Sequence, residues 1–326
     1  MNVPLLDVQG LAVEFDTARG RIQALRGVDL NLKKGETLVV IGESGSGKSV
    51  TAEVILGIMQ SPPGRVTAGR VLYQGGDLLA LPPQGRRRIQ GDRVAMVFQD
   101  ALAALNPLYT VGWQIAELFR VHRGWTMNRG YERAIELLRQ VGIPNPAERV
   151  HQYPHQFSGG MRQRVMIALA IALEPDLLLA DEPTTALDVT VQAQIMQLLA
   201  QLRAETGMGL ILITHDIAVA AEVADRVAVM YAGRIVETGP IVEVLEAPAH
   251  PYTRALVRLA LHDRRSGGRP TIPGTPPDLL SLPAGCAFAP RCPVVRPVCH
   301  QADPSLELVT ATQSAACHFS REVDVA

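Results

Sequence analysis

The sequence has almost no net charge, 31 Lys and Arg against 32 Asp and Glu for a balance of −1. That excludes a strongly basic nucleic-acid coat, although a local basic patch stays open. Long apolar runs are also missing. Mean hydropathy is mildly positive at +0.12. Yet the longest apolar stretches, such as Met166 to Leu173, fall far short of the ~18–20 residues that a spanning helix needs. The opening residues, Met1-Asn2-Val3-Pro4-Leu5-Leu6-Asp7, carry no basic segment leading into an apolar one, the mark of a secretory signal. No fixed-period repeat and no low-complexity segment stands out. Cysteine does not occur before Cys286. The expectation is a soluble, cytoplasmic chain whose membrane role, if it has one, runs through a partner.

What is present is ordinary globular material, 47% hydrophobic and 19% charged over 326 residues. Length alone allows one large domain and a smaller one, at ~150 residues per domain. Leu5 to Phe15 and Gln23 to Leu32 read as strands broken by Arg19-Gly20 and Lys33-Lys34-Gly35. Thr37-Leu38-Val39-Val40-Ile41 reads as a buried strand, followed by a glycine-rich turn and a helix from Lys48 to Gly57. Between about 102 and 164 the apolar residues fall at helical spacing, as in Ile135, Leu138 and Val141, which predicts a helical insertion. Leu177 to Ala180 and Leu210 to Ile213 are again buried strands, separated by an amphipathic helix from Val191 to Glu205. Strands alternating with helices give an α/β layer structure. Past about His262 the composition shifts to a Gly/Pro/Arg linker, Arg264 to Pro270 and Pro273 to Pro277. The segment beyond it holds every cysteine and is expected to be a separate module.

Gly42-Glu43-Ser44-Gly45-Ser46-Gly47-Lys48-Ser49 matches the phosphate-loop pattern G-x-x-x-x-G-K-[ST] in full, between a buried strand and a helix. Glycines let successive backbone N–H groups converge on a polyphosphate. The helix start adds its positive dipole end. Lys48 supplies a point charge to the β- and γ-phosphates, and Ser49 a hydroxyl to Mg²⁺. Leu177-Leu178-Leu179-Ala180-Asp181-Glu182 places Asp181 where a carboxylate can serve the metal, and Glu182 where one can polarise an attacking water. Phe15, the only aromatic near the end of the first strand region, is the candidate for adenine stacking.

Phe157-Ser158-Gly159-Gly160-Met161-Arg162-Gln163-Arg164 resembles the signature motif of ABC-type ATPases. Val97-Phe98-Gln99-Asp100 resembles that family's Q-loop, Ala186-Leu187-Asp188 its D-loop, and Ile213-Thr214-His215-Asp216 its switch-histidine strand. The ordered set spans residues 5 to about 245. The resemblance implies a P-loop ABC-type ATPase domain over residues 1–258, with a helical subdomain at about 100–160. It implies that Gln99 binds Mg²⁺ and the attacking water and that His215 hydrogen-bonds the γ-phosphate. Ser158, Gly159, Gly160 and Met161 would meet ATP held by a second subunit, so that one chain holds two half-sites. Met161 stands where Gln is commoner, and Val50 replaces a hydroxyl residue, which leaves the α-phosphate to backbone N–H groups or Thr51.

Cys286, Cys292, Cys299 and Cys317 are spaced C-x5-C-x6-C-x17-C. Four thiolates in a reducing compartment suit Zn²⁺ or an Fe–S cluster, and the spacing alone does not choose. Ile272-Pro273-Gly274 through Leu282-Pro283-Ala284-Gly285-Cys286-Ala287-Phe288-Ala289-Pro290-Arg291-Cys292-Pro293 resembles the C-terminal extension of oligopeptide/dipeptide importer ATPases, preceded by His250-Pro251-Tyr252-Thr253-Arg254. The extension is placed at 259–326, with a [4Fe–4S] cluster expected on the four cysteines and Zn²⁺ as the alternative. The function this implies is ATP-hydrolysing subunit of a bacterial peptide importer, peripheral at the cytoplasmic face of the membrane. Its implied partners are a second, paralogous ATPase subunit, two permease subunits and an extracytoplasmic solute-binding protein, with no nucleic acid. The alternatives are a soluble ABC-type ATPase acting on nucleic acid or the ribosome, or an importer of nickel or another small solute.

Overall fold

A computed structural model describes residues 3–185, 187–261 and 271–322. Ala186 of the D-loop segment and the linker residues Arg264 to Pro270 lie outside the described residues. In chain order the elements begin with β1 (Leu6–Thr17), β2 (Gly20–Leu32), β3 (Thr37–Ile41) and α1 (Lys48–Leu56). Then come β4 (Gly64–Tyr73), β5 (Gly76–Asp77), α2 (Pro83–Ile89), β6 (Val94–Val97) and α3 (Ala101–Ala104). A helical stretch follows with α4 (Val111–Arg123), α5 (Met127–Gln140), α6 (Pro146–Arg149) and α7 (Gly159–Ile171). Next are β7 (Leu177–Asp181), α8 (Val189–Thr206), β8 (Gly209–Thr214), α9 (Ile217–Val223), β9 (Arg226–Tyr231) and β10 (Arg234–Pro240). The chain closes with α10 (Ile241–Glu246), α11 (Pro251–Leu261), α12 (Pro297–Gln301), β11 (Glu307–Leu308) and β12 (Ser314–Ala315).

These elements form two compact units, one of Met1–Ala80 with Ile213–Ala326, the other of Leu81–Leu212. In the first, an antiparallel sheet runs β2-β1-β4-β5, with Leu6 opposite Leu32 on β2 and Tyr73 on β4. Alternate residues of β1 (Leu6, Val8, Leu11, Val13) are buried, the period-2 pattern of a one-sided sheet with a bulge at Gly10 shifting the face. A second set of strands runs β11-β12-β10-β9-β3, and β3 pairs β9 in parallel through Val39 opposite Val227. Every residue of β3 is buried, as its unbroken apolar run predicts for a strand covered on both faces.

In the second unit the strands run β8-β7-β6, with Ala95 of β6 opposite Leu178 of β7 in parallel. Between β6 and β7 the regular elements are all helices, with Thr110 and Thr126 capping α4 and α5 through their hydroxyls. Arg164 fixes α7 to its surroundings, donating to the Val141 carbonyl at 2.7 Å and to Gln194 on α8 at 2.9 Å.

The expectation of a separate cysteine-bearing module is corrected. The C-terminal segment belongs to the first unit. β12 extends the sheet along β10, Glu237 opposite Ala315 and Thr238 opposite Ser314, and Ala316 N donates to the Val236 carbonyl. A buried cluster, Tyr231 from β9 with Tyr252 and Phe288, joins tail and sheet. Burial of a sheet edge and of large aromatic surface together favour this arrangement over a body tethered by a linker.

Candidate functional site

The phosphate loop links β3 to α1, and its glycines are set by space as well as by dihedral angle. At Gly47, φ is +107°, and a Cβ would stand 2.7 Å from Leu25 Cδ2 and 2.8 Å from the Ala24 carbonyl oxygen. A Cβ at Gly42 would run into the Met230 carbonyl of β9. Lys48 is buried, and its ammonium donates to the Gly42 and Glu43 carbonyls at 2.8 and 2.9 Å. That holds the cation across the loop. Ser46 Oγ is buried with no hydrogen-bond partner among the described residues. An orphaned hydroxyl inside a ring of glycine amides is a site suited to phosphate oxygens. Ser49 is exposed on the first turn of α1 and Val50 is half-buried beside it. The Thr51 hydroxyl donates to the Gly47 carbonyl at 3.0 Å, so its one proton is engaged within the helix. Phe15 is half-buried on β1, its ring edge packed on Gly64 of β4.

The other unit brings together the acidic strand end and the Q-loop glutamine. Asp181, the last residue of β7, is buried. Glu182 follows with φ +44°, a left-handed conformation uncommon for a non-glycine residue. Its carboxylate accepts from Gln99 Nε2 at 3.2 Å and from the Thr185 hydroxyl at 2.9 Å. Two residues singled out from separate motifs thus meet directly. Strain of this kind, held by surrounding hydrogen bonds, gathers at functional positions.

Ser158 caps α7, accepting from the Met161 amide at 3.4 Å. Ser158 and Gly159 are exposed, so the open helix end faces outward. Gly160 is required by packing, because a Cβ there would stand 2.7 Å from Val191 Cγ1 at the start of α8. Asp188, exposed, caps α8 by accepting from the Val191 amide at 3.0 Å. His215 is exposed just past β8, and Asp216 beside it caps α9 by accepting from the Ala218 and Val219 amides.

The four cysteines line one cavity together with Phe288, His318 and Phe319. Cys286 N donates to the Cys299 carbonyl at 2.8 Å. Burial pushes the Cys286 thiol up to about 11, against an opposing hydrogen bond from the Phe288 amide, and raises Cys292 and Cys317 likewise. Among the described residues no group of three or more His, Cys, Asp or Glu is arranged to hold a metal ion. The expected cluster or zinc therefore finds no support in a ligand set closed around one ion.

Glu43, Tyr252 and Arg291 form a constellation that motif spacing does not reveal. Arg291, buried in a short 3₁₀ turn, donates to both carboxylate oxygens of Glu43 at 2.6 and 2.9 Å. Glu43 N donates to the Tyr252 hydroxyl at 2.8 Å.

The ABC transporter family model matches residues 25–185, and the model for the oligopeptide/dipeptide transporter C-terminal region matches 236–299. The dipeptide transport ATP-binding protein DppD of Bacillus subtilis (strain 168) is 47% identical over 96% of this chain and 94% of its own. Its namesake in Escherichia coli (strain K12) is 46% identical over 97% and 96%. Among solved structures, a dimeric bacterial ABC transporter cassette aligns with a TM-score of 0.65 at 31% identity. It covers 72% of this chain and 98% of that one. The same cassette in a post-hydrolysis state with ADP and Pi aligns equally well. No helix among the described residues is long and apolar enough to cross a membrane. With relatives this similar over nearly its whole length, the chain belongs to the ABC transporter ATP-binding proteins, among those that carry the oligopeptide/dipeptide C-terminal region.

Proposed function

We propose that this protein is the ATP-hydrolysing subunit of a peptide importer, working at the cytoplasmic membrane face with separate permease subunits and a solute-binding protein. The observation that carries the reading is a complete phosphate loop in a chain whose extension matches the oligopeptide/dipeptide region. ATP is held through the loop amides, Lys48 and Ser46. Oxygen donors on Ser49, Gln99 and Asp181 suit Mg²⁺, which would neutralise phosphate charge. Glu182, bonded to Gln99, polarises the attacking water, and His215 contacts the γ-phosphate. The exposed N-terminus of α7 at Ser158–Gly160, with Asp188, serves ATP on a second, paralogous ATPase subunit. Adenine stacks on Phe15.

At the cysteines, a thiolate-bound [4Fe–4S] group is the finer reading, with Zn²⁺ the alternative. All four thiols face one cavity, and amides of Phe288, Val294 and Phe319 donate to Cys286, Cys292 and Cys317. Such N–H···S bonds suit sulfur that carries charge. The group would crosslink the tail, and the hydrolysis residues do not include it.

The test is ATPase activity of the chain assembled with its permeases and partner ATPase. A peptide-loaded binding protein should raise turnover. Stimulation by nickel-loaded binding protein and not by peptide would overturn the peptide assignment. Iron and sulfide analysis after anaerobic purification should find about four irons per chain. Stoichiometric zinc or free thiols would reject the cluster.

A further inference from the structure

The phosphate loop carries an acid, Glu43, at a place built to receive a polyanion, and the fold answers it from the far end of the chain. Arg291 grips the carboxylate with both arms of its guanidinium, while its Nε donates to the Pro273 carbonyl at 2.9 Å and fixes the plane of the fork. Tyr231 Oη stands 3.3 Å from the same Nη1. The pair is well shielded, with 4% of the Arg291 side chain and 24% of the Glu43 side chain exposed. The backbone of Glu43 is held as firmly. Its N–H donates to Tyr252, and its carbonyl accepts from Lys48 at 2.9 Å and from the Ser46 amide at 3.2 Å. One loop residue is thus tied at amide, side chain and carbonyl. Its carbonyl partners are two residues of the phosphate loop, and its other two partners lie in the segment beyond β10.

We propose that Arg291 and Tyr252 are positioning residues for nucleotide binding, with Arg291 cancelling the charge of Glu43 beside the phosphates and Tyr252 holding the loop amide in register. The inference rests on the ATP-site reading above. Two like charges in a partly desolvated loop repel by several kcal/mol at an effective dielectric near 20, so an unmatched Glu43 opposes ATP more than it would in water. A bidentate guanidinium removes that repulsion and cannot lose its proton. A lysine at the same place would neutralise without fixing the plane of the carboxylate.

The experiment is ATP affinity of the full-length chain, measured by equilibrium binding at several salt concentrations, for Arg291→Gln, Glu43→Gln and the double variant. Arg291→Gln should weaken binding about tenfold, less so as salt screens the unpaired carboxylate. Glu43→Gln should bind at least as tightly as the parent, and combining it with Arg291→Gln should restore affinity to within about threefold of the parent. Loss of a packing contact alone would not be repaired by removing a charge elsewhere. Where Arg291→Gln does not accumulate as folded protein, Arg291→Lys in the same cycle should show a loss of about threefold. Equal weakness of the single and double variants, or unchanged affinity in Arg291→Gln, would overturn the proposal. Lys48→Ala is measured alongside. If it binds ATP like the parent, the site reading fails, whereas its loss together with absent rescue isolates the failure to Arg291.

Discussion

Glu182 shows how much a single residue carries. Its left-handed backbone is stabilised by Thr185, whose amide donates to the Glu182 carbonyl at 3.1 Å while its hydroxyl reaches the carboxylate. The side chain is thus aimed by the bonds that one carboxylate oxygen accepts from Gln99 and Thr185. Replacing Glu182 by Gln keeps the shape and removes the proton acceptor. Turnover in the assembled complex should fall by about 10²- to 10⁴-fold while ATP affinity of the chain stays within about twofold. Turnover equal to the parent would show that the water is activated elsewhere. An acid at a strand end was legible in the sequence, since an apolar run closing on Asp181-Glu182 in the same chain as a phosphate loop has few other uses. The bond to Gln99 was not, because 83 residues separate the pair.

At the scale of elements, periodicity explained most of what could be read. β3 and β7 are wholly buried, so their apolar runs have no polar interruption to mislead. The helix placed at Val191 to Glu205 extends over Val189–Thr206, its start set by the Asp188 cap. The tail was misread because composition marks a linker but says nothing of the two-residue strand that pairs β10. The start of α11 carries another contact of this hidden kind. His250 is buried, and its Nδ1 accepts from the Tyr252 amide at 3.0 Å, which requires that nitrogen unprotonated. Burial holds its pKa at about 3. Glu237 accepts from the amides of Ala249 and His250 and from Gln313, and burial raises its pKa. Between pH 6.5 and about 3 the unfolded chain takes up a proton at His250 that the folded chain does not. Stability from this group is therefore present above 6.5 and is lost as pH falls, at about 1.4 kcal/mol per unit. Glu237 acts oppositely above its unfolded pKa, since the folded state retains its proton longer. Comparison with His250→Asn, which offers an acceptor without a titration, cancels the Glu237 contribution. The stability difference between parent and variant should shift by that slope as pH falls, in denaturant unfolding at fixed salt. A difference independent of pH would mean that His250 titrates alike in the folded and unfolded chains.

For the whole molecule, the decisive feature is that the signature end of α7 is turned outward. Ser158 and Gly159 are exposed, and the Ser158 hydroxyl already accepts from Met161 within its own helix. A helix N-terminus is a ready anion site, and here it is exposed. On the proposed reading, the chain supplies a phosphate loop for one ATP and a signature helix for another, so that neither reaction centre would close with one copy. Assembly of two subunits around two nucleotides would make hydrolysis second-order in protein when the chain is alone and dilute. Specific ATPase activity of the purified chain should rise with its own concentration, and rise further when a paralogous ATPase chain is added at equal amount. Ser158→Arg, which places bulk and charge at the helix end, should abolish activity of a homodimer. Mixed with a paralogue whose own phosphate-loop lysine is replaced, it should leave one complete site, because both defects fall on the same nucleotide and this chain's phosphate loop still meets the paralogue's intact signature end. Mixed instead with a paralogue whose own signature end carries the same change, it should leave none. Specific activity that stays constant on dilution, together with undiminished turnover in Ser158→Arg, would show that a single chain completes its own site.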